Sequence, residues 1–150
     1  MSADTPVDPR GPRFAAWLTT VVLAVVLVTS SASPLASVWL LAAQAVVFAV
    51  GAFAGLRFAP YSLLFKRLVA PRLRPSPDRE AAEPLRFAQG VGFVFAVAGV
   101  LGFATGLVAL GIVATAFALI AAFLNAAFAF CLGCEMYLLV RRLPALHRPQ

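Results

Sequence analysis

The segment of this chain best equipped for chemistry is Cys131-Leu132-Gly133-Cys134, followed directly by Glu135. On a helix, side chains three apart share a face, so the two thiols can come within disulfide reach. Such a pair can cycle between dithiol and disulfide, or carry sulfur as a persulfide, and Glu135 can accept the proton that activates one thiol. Two other readings stand beside this one. The cysteines can be small apolar packing residues, or they can bind metal. Structural zinc asks for four ligands. One chain offers two thiols and a distant His147, so only a homodimer pooling two pairs would complete a four-sulfur site. We assign no cofactor and no metal. The sequence shows no nucleotide-binding loop, no nucleophile–base constellation and no carboxylate pair.

Counting back from Arg141 puts the pair at the end of the last apolar run. A helix C-terminus, low dielectric and the neighbouring Glu135 each disfavour a thiolate. Arg141 and Arg142 offset this only if the chain folds back. By that placement the pair shares a motif with thioredoxin but not its local geometry.

The elements that must position the sulfurs follow from composition. The chain has 150 residues, 62% hydrophobic and 12% charged. Soluble domains carry about 25% charged residues, so too few charges remain here to cover a water-soluble globule. Lipid must be the solvent for much of the surface. Four apolar runs, about 14–32, 35–56, 87–105 and 110–134, approach the roughly 20 residues needed to cross a bilayer core. The expected fold is a single all-α membrane domain of four transmembrane helices, arranged as two helical hairpins. The first run is too long for a signal-peptide core, and a second follows at once.

All twelve Lys and Arg residues lie in the N-terminal arm, the central loop 57–86 or the C-terminal tail. Four spans place those three segments on one side. Arginine near helix ends favours the cytoplasm, so both termini are expected there, in a cell membrane. The net charge of +6 is read as affinity for anionic lipid headgroups, not nucleic acid. Within the loop, Phe58, Tyr61, Leu64, Phe65 and Leu68 share one helical face, the pattern of a short interfacial helix. The proline-rich stretch 71–84 is expected to be extended.

Arg13-Phe14-Ala15 opens the first span and Arg86-Phe87-Ala88 the third. Phe48-x-x-Gly51 and Phe130-x-x-Gly133 correspond more loosely. These echoes suggest a parallel internal repeat. Helices in lipid associate through small residues. Gly51 and Gly55 form a G-x-x-x-G, Ala98, Gly102 and Gly106 a second set, and Ala114, Ala118, Ala122 and Ala126 a stripe. They serve packing within the bundle or a homo-oligomer seam. Gln44 and Asn125 sit at intramembrane depth, where an unpaired amide costs on the order of 2–7 kcal/mol. They are expected to bond each other or a backbone carbonyl, or to form a polar site. No span centre carries an ionisable residue, which argues against a proton pump or a carrier of charged substrates.

Val7-Asp8-Pro9-Arg10-Gly11-Pro12-Arg13-Phe14-Ala15, Arg86-Phe87-Ala88-Gln89 and the stretch from Asn125 through Cys131-Leu132-Gly133-Cys134-Glu135 to Tyr137 resemble domain of unknown function 4395. That is a bacterial integral membrane family frequent in actinobacteria. The resemblance implies no activity. It implies that the cysteine motif and the two R-F-A segments are recurring features, and it suggests company with thioredoxin-like or sulfur-transferring proteins. Three functions are therefore carried forward. The first is a membrane thiol protein exchanging with a thioredoxin-like or rhodanese-like partner. The second is a non-enzymatic scaffold or accessory subunit. The third is a permease for a small neutral or sulfur-containing solute.

Overall fold

The computed structural model describes residues 5–146. His147 lies outside them. Among the described residues the fold is all-α: α1 (Arg10–Thr29), α2 (Pro34–Ala49, continued by a π turn over Val50–Ala54), α3 (Pro60–Leu64, continued by a π turn over Phe65–Val69), α4 (Ala82–Ala104), α5 (Val108–Phe128) and α6 (Leu132–Leu146). Helices α1, α2 with its π turn, α4 and α5 are each long and apolar enough to cross a membrane, and at most 33% of any one is buried within the protein. The remaining surface carries side chains such as Val28, Trp39, Val94 and Ile120. Only lipid makes such a surface stable.

The hairpins form for local reasons. Ser33 caps α2 by accepting the Ala36 amide, with Pro34 at the first helical position. Ser37 is fully buried, donates to the Val26 carbonyl at 2.9 Å and lies 3.0 Å from the Thr29 hydroxyl, which ties α2 to the end of α1. Between α4 and α5 the chain turns at Gly106, whose φ is +82°. The backbones approach closely just below. A Cβ on Gly102 would stand 2.9 Å from Gly111 Cα.

The four long helices close a ring in the order α1, α2, α4, α5, with α2 packed most extensively on α4 and α1 on α5. Leu23 and Val26 of α1, Leu41 and Phe48 of α2, Ala96 and Phe103 of α4 and Ala118 of α5 meet at its centre.

This ring has the internal symmetry read from the two R-F-A segments. Arg13 donates to the Ala126 carbonyl of α5 at 3.3 Å, and Arg86 donates to the Ala52 carbonyl of α2 at 3.0 and 3.2 Å. Each guanidinium thus serves carbonyls at the C-terminal end of a helix in the other hairpin, where the dipole is negative. Phe14 packs on Phe65 with ring centroids 5.8 Å apart, and Phe87 packs on Tyr137 at 5.6 Å. Gly55 after α2 and Ala129 after α5 both have positive φ. Each repeat is therefore a hairpin followed by a short helix that folds back onto the hairpin's first member. The looser pairing of Phe48 and Gly51 with Phe130 and Gly133 does not hold, because Phe130 and Gly133 lie beyond the end of α5.

Several expectations need correction. The fourth long helix ends at Phe128, not near residue 134. Ala129 is left-handed (φ +54°), and its amide bonds back to Asn125 and Leu124. The apolar run hides this break because Leu132, Met136 and Leu138 continue it into a separate helix. A Cβ added at Gly55 or Gly106 would meet nothing within 4 Å, so these glycines make turns rather than a packing seam. The other two expected glycines do pack closely, Gly51 against Gln89 and Gly102 against Gly111, and Gly92 against Phe48 and Gly99 against Leu41 join them. The face expected of α3 splits: Phe65 is buried against α1, while Phe58, Leu64 and Leu68 are exposed.

Candidate functional site

All three basic segments meet at one end of the bundle. The N-terminal arm pairs with the central segment through a backbone bridge, Val7 to Glu80, at 2.9 Å in both directions. Asp8 and Arg10 form an ion pair at 2.7 Å, and Arg10 also donates to the Arg74 carbonyl at 2.9 Å. The Arg10 guanidinium holds the Asp8 carboxyl below its ordinary value, mainly through the hydrogen bond between them.

The sulfur pair lies at this same end. The break at Ala129 turns the chain, so Cys131 precedes α6 and Cys134 sits in its first turn. The two are joined as a disulfide, with Cα atoms 5.2 Å apart. The Cys134 amide donates to Cys131 Sγ at 3.2 Å, so this sulfur occupies the position of a helix cap. The expected C-terminal placement is thus reversed. The pair stands at a helix N-terminus, where free amides and the dipole favour a thiolate.

Gly133 explains how α6 can start there. A Cβ on it would fall 2.6 Å from both Cα and Cβ of Ala88, so the first turn of α6 rests on the α4 backbone. One turn further on, the Tyr137 hydroxyl donates to Glu83 at 3.0 Å and receives a bond from Arg141 at 3.3 Å. These contacts fix α6 to the start of α4. Glu135 is exposed in the first turn of α6. Among the described residues no group of three or more Cys, His, Asp and Glu is placed to hold a metal ion.

Cys131 also lines a cavity of about 1160 Å³. The cavity begins beneath the N-terminal arm, beside Lys66 and Arg79, and reaches Thr19, Phe95 and Phe117 inside the bundle. Thr19 is roughly 14 Å along α1 from Arg10, which is near the middle of a hydrocarbon core about 30 Å thick. Asn125 lines it, as does Gln89, which sequence reasoning missed. A glutamine one turn from Arg86 reads as part of a polar helix start, which concealed its depth.

The two amides singled out from the sequence are not brought together. Gln44 is almost fully buried; its carbonyl accepts from the Tyr61 hydroxyl at 2.7 Å and its amide donates to Thr19 at 3.3 Å. Burial among these groups raises the Tyr61 hydroxyl above its ordinary pKa. Gln44 is therefore structural glue between α1, α2 and α3. The Asn125 side chain has no hydrogen-bond partner among the described residues, and neither does that of Gln89. Gly51 packs directly on Gln89: a Cβ there would lie 3.0 Å from its Cγ.

No curated protein and no solved structure matches this chain. A family model does, and it spans both hairpins, the central segment and the sulfur pair. On the strength of that match, over residues 7–142, the chain belongs to the family described as Domain of unknown function (DUF4395).

Proposed function

We propose that this is a membrane-embedded thiol–disulfide protein whose Cys131–Cys134 pair exchanges with a partner at the basic end of the bundle. The observation that carries the reading is the placement of two sulfurs, within bonding distance, at the N-terminus of α6. A thioredoxin-like partner fits this chemistry. Its thiolate attacks Cys131 Sγ, the Cys131–Cys134 bond breaks, and Cys134 leaves as a thiolate that takes a proton. The partner's second thiolate then attacks the mixed disulfide and releases Cys131. The partner ends as a disulfide, and the pair has gained its two electrons and two protons. The released Cys131 thiolate is favoured by the Cys134 amide and the helix N-terminus. Glu135, in the same turn, is positioned along the chain to take part in proton transfer.

A rhodanese-like partner delivering a persulfide sulfur would use the same dithiol. By the positive-inside rule the exchanging face is cytoplasmic, and both termini lie with it. The scaffold reading loses one support, because Gly55 makes a turn and not a packing seam. A permease path through Gln44 loses its reason, since that amide is satisfied by Thr19 and Tyr61.

A trapping experiment tests the proposal. In Cys134→Ser membranes treated with diamide to oxidise the partner, the Cys131 thiolate should attack the partner's disulfide, and with no Cys134 to resolve it the mixed disulfide should accumulate as a reductant-sensitive band. Cys131→Ser with Cys134→Ser should give none. Absence of any such band, together with a wild-type pair that never changes oxidation state, overturns the proposal.

A further inference from the structure

A pair that takes electrons from a partner must pass them on, and the structure places a cavity against the pair. Its wall joins Cys131 to an interior where, among the described residues, the ionisable group beyond the basic end is the Tyr61 hydroxyl, which is held by Gln44. The deep part is apolar and aromatic, with Phe95 and Phe117, and the amides of Gln89 and Asn125 line the cavity about one helical turn in from its basic end. Neither amide bonds another described side chain or backbone group. Both amides are accessible from the cavity and so are available to donate to an occupant that carries acceptors. The volume, about 1160 Å³, is somewhat above the range of about 300–1,000 Å³ common for ligand sites. The occupant that fits is uncharged, largely apolar, bears hydrogen-bond acceptors and is soluble in lipid.

We propose that this cavity binds a lipophilic quinone, which reoxidises the reduced Cys131–Cys134 pair. The inference rests on the thiol reading above. The step balances without a further reactant. Two S–H bonds break and the Cys131–Cys134 bond forms. The two electrons enter the quinone ring, and the two protons end on its oxygens, giving a hydroquinone. Asn125 and Gln89 donate to those oxygens and position the ring. The basic end faces the aqueous partner, while the apolar interior receives the electron acceptor.

The test uses the purified full chain in lipid nanodiscs. The pair is reduced with dithiothreitol, the reductant is removed by desalting without oxygen, and a short-chain benzoquinone or naphthoquinone is added. Hydroquinone is followed by absorbance and free thiols by maleimide labelling. One hydroquinone should form per disulfide regained. Two variants then probe the cavity: Asn125→Leu removes a donor, and Ala122→Phe fills the space. In each, the ratio of the quinone rate to the rate with a small polar oxidant such as diamide should fall at least tenfold. If one variant is lost to misfolding, the other carries the comparison, and saturation of the wild-type rate with quinone concentration is a third readout. A linear, unsaturable rate with an unchanged ratio in the variants overturns the quinone site while leaving the exchange reading intact. A pair that dithiothreitol cannot reduce defeats both.

Discussion

Gly133→Ala is a severe test of how the sulfur pair is held. The added methyl would lie 2.6 Å from Ala88 Cα and Cβ. Carbon atoms sit comfortably at about 3.5–4.0 Å, so the α6 start must withdraw from α4 by about 1 Å. Ala88 cannot yield, because the obstacle includes backbone. Nor can α6 simply swing away, since Tyr137 is fixed to Phe87 and Glu83 one turn later. Overpacking of this kind costs about 1–3 kcal/mol, which should lower Tm in detergent by several degrees. The displacement should also unseat Cys131 from the cavity wall and change how fast a water-soluble phosphine reduces the disulfide. Gly106→Ala is the control. It meets open space, and its cost comes only from positive φ, about 1–2 kcal/mol; it should leave disulfide reduction untouched. If Gly133→Ala melts and reduces like wild type, α6 does not rest on α4 as described.

Two further outcomes follow from local structure. The Asp8 carboxyl is depressed by Arg10, so its contribution to the arm–loop clasp is complete above the unfolded value of about 3.9. It is lost as pH falls through the lower folded value. Spin labels at Thr5 and Arg79 should therefore hold one separation at pH 6 and broaden only as the pH falls through that lower folded value, with Asp8→Asn broad throughout; a distance that stays narrow on full acidification would contradict the clasp. Ala129→Gly should raise stability by about 1 kcal/mol, because Ala129 carries a left-handed φ of +54° that glycine adopts freely. A loss of stability there would mean that the break after α5 is not set by this residue.

What could be read from the sequence was what composition and parity control. Twelve basic residues confined to three segments demand an even number of crossings, and the two R-F-A segments mark equivalent helix starts. Their arginines indeed serve equivalent carbonyls, Ala126 and Ala52. The break before Cys131 was not legible. Helix ends are announced by glycine or proline, and here an alanine adopts the left-handed cap inside an unbroken apolar run. That single residue moved the sulfur pair from the end of one helix to the beginning of another and inverted its electrostatics. The glycine spacing misled for a related reason. Gly51 and Gly55 match a packing motif, yet only Gly51 faces another helix, since the π turn after α2 rotates Gly55 into the turn. Tyr61 as the partner of Gln44 depends on α3 folding back across the bundle end, which no local pattern encodes.

A redox titration of the wild-type chain in native membranes bears most directly on the central claim. Membranes are equilibrated across a graded series of dithiol buffers, quenched in acid and labelled with a heavy maleimide. The expected result is a single transition in which both cysteines become labelled together, with the slope of a two-electron couple. Labelling of neither cysteine, or of both, at every buffer ratio would contradict the account.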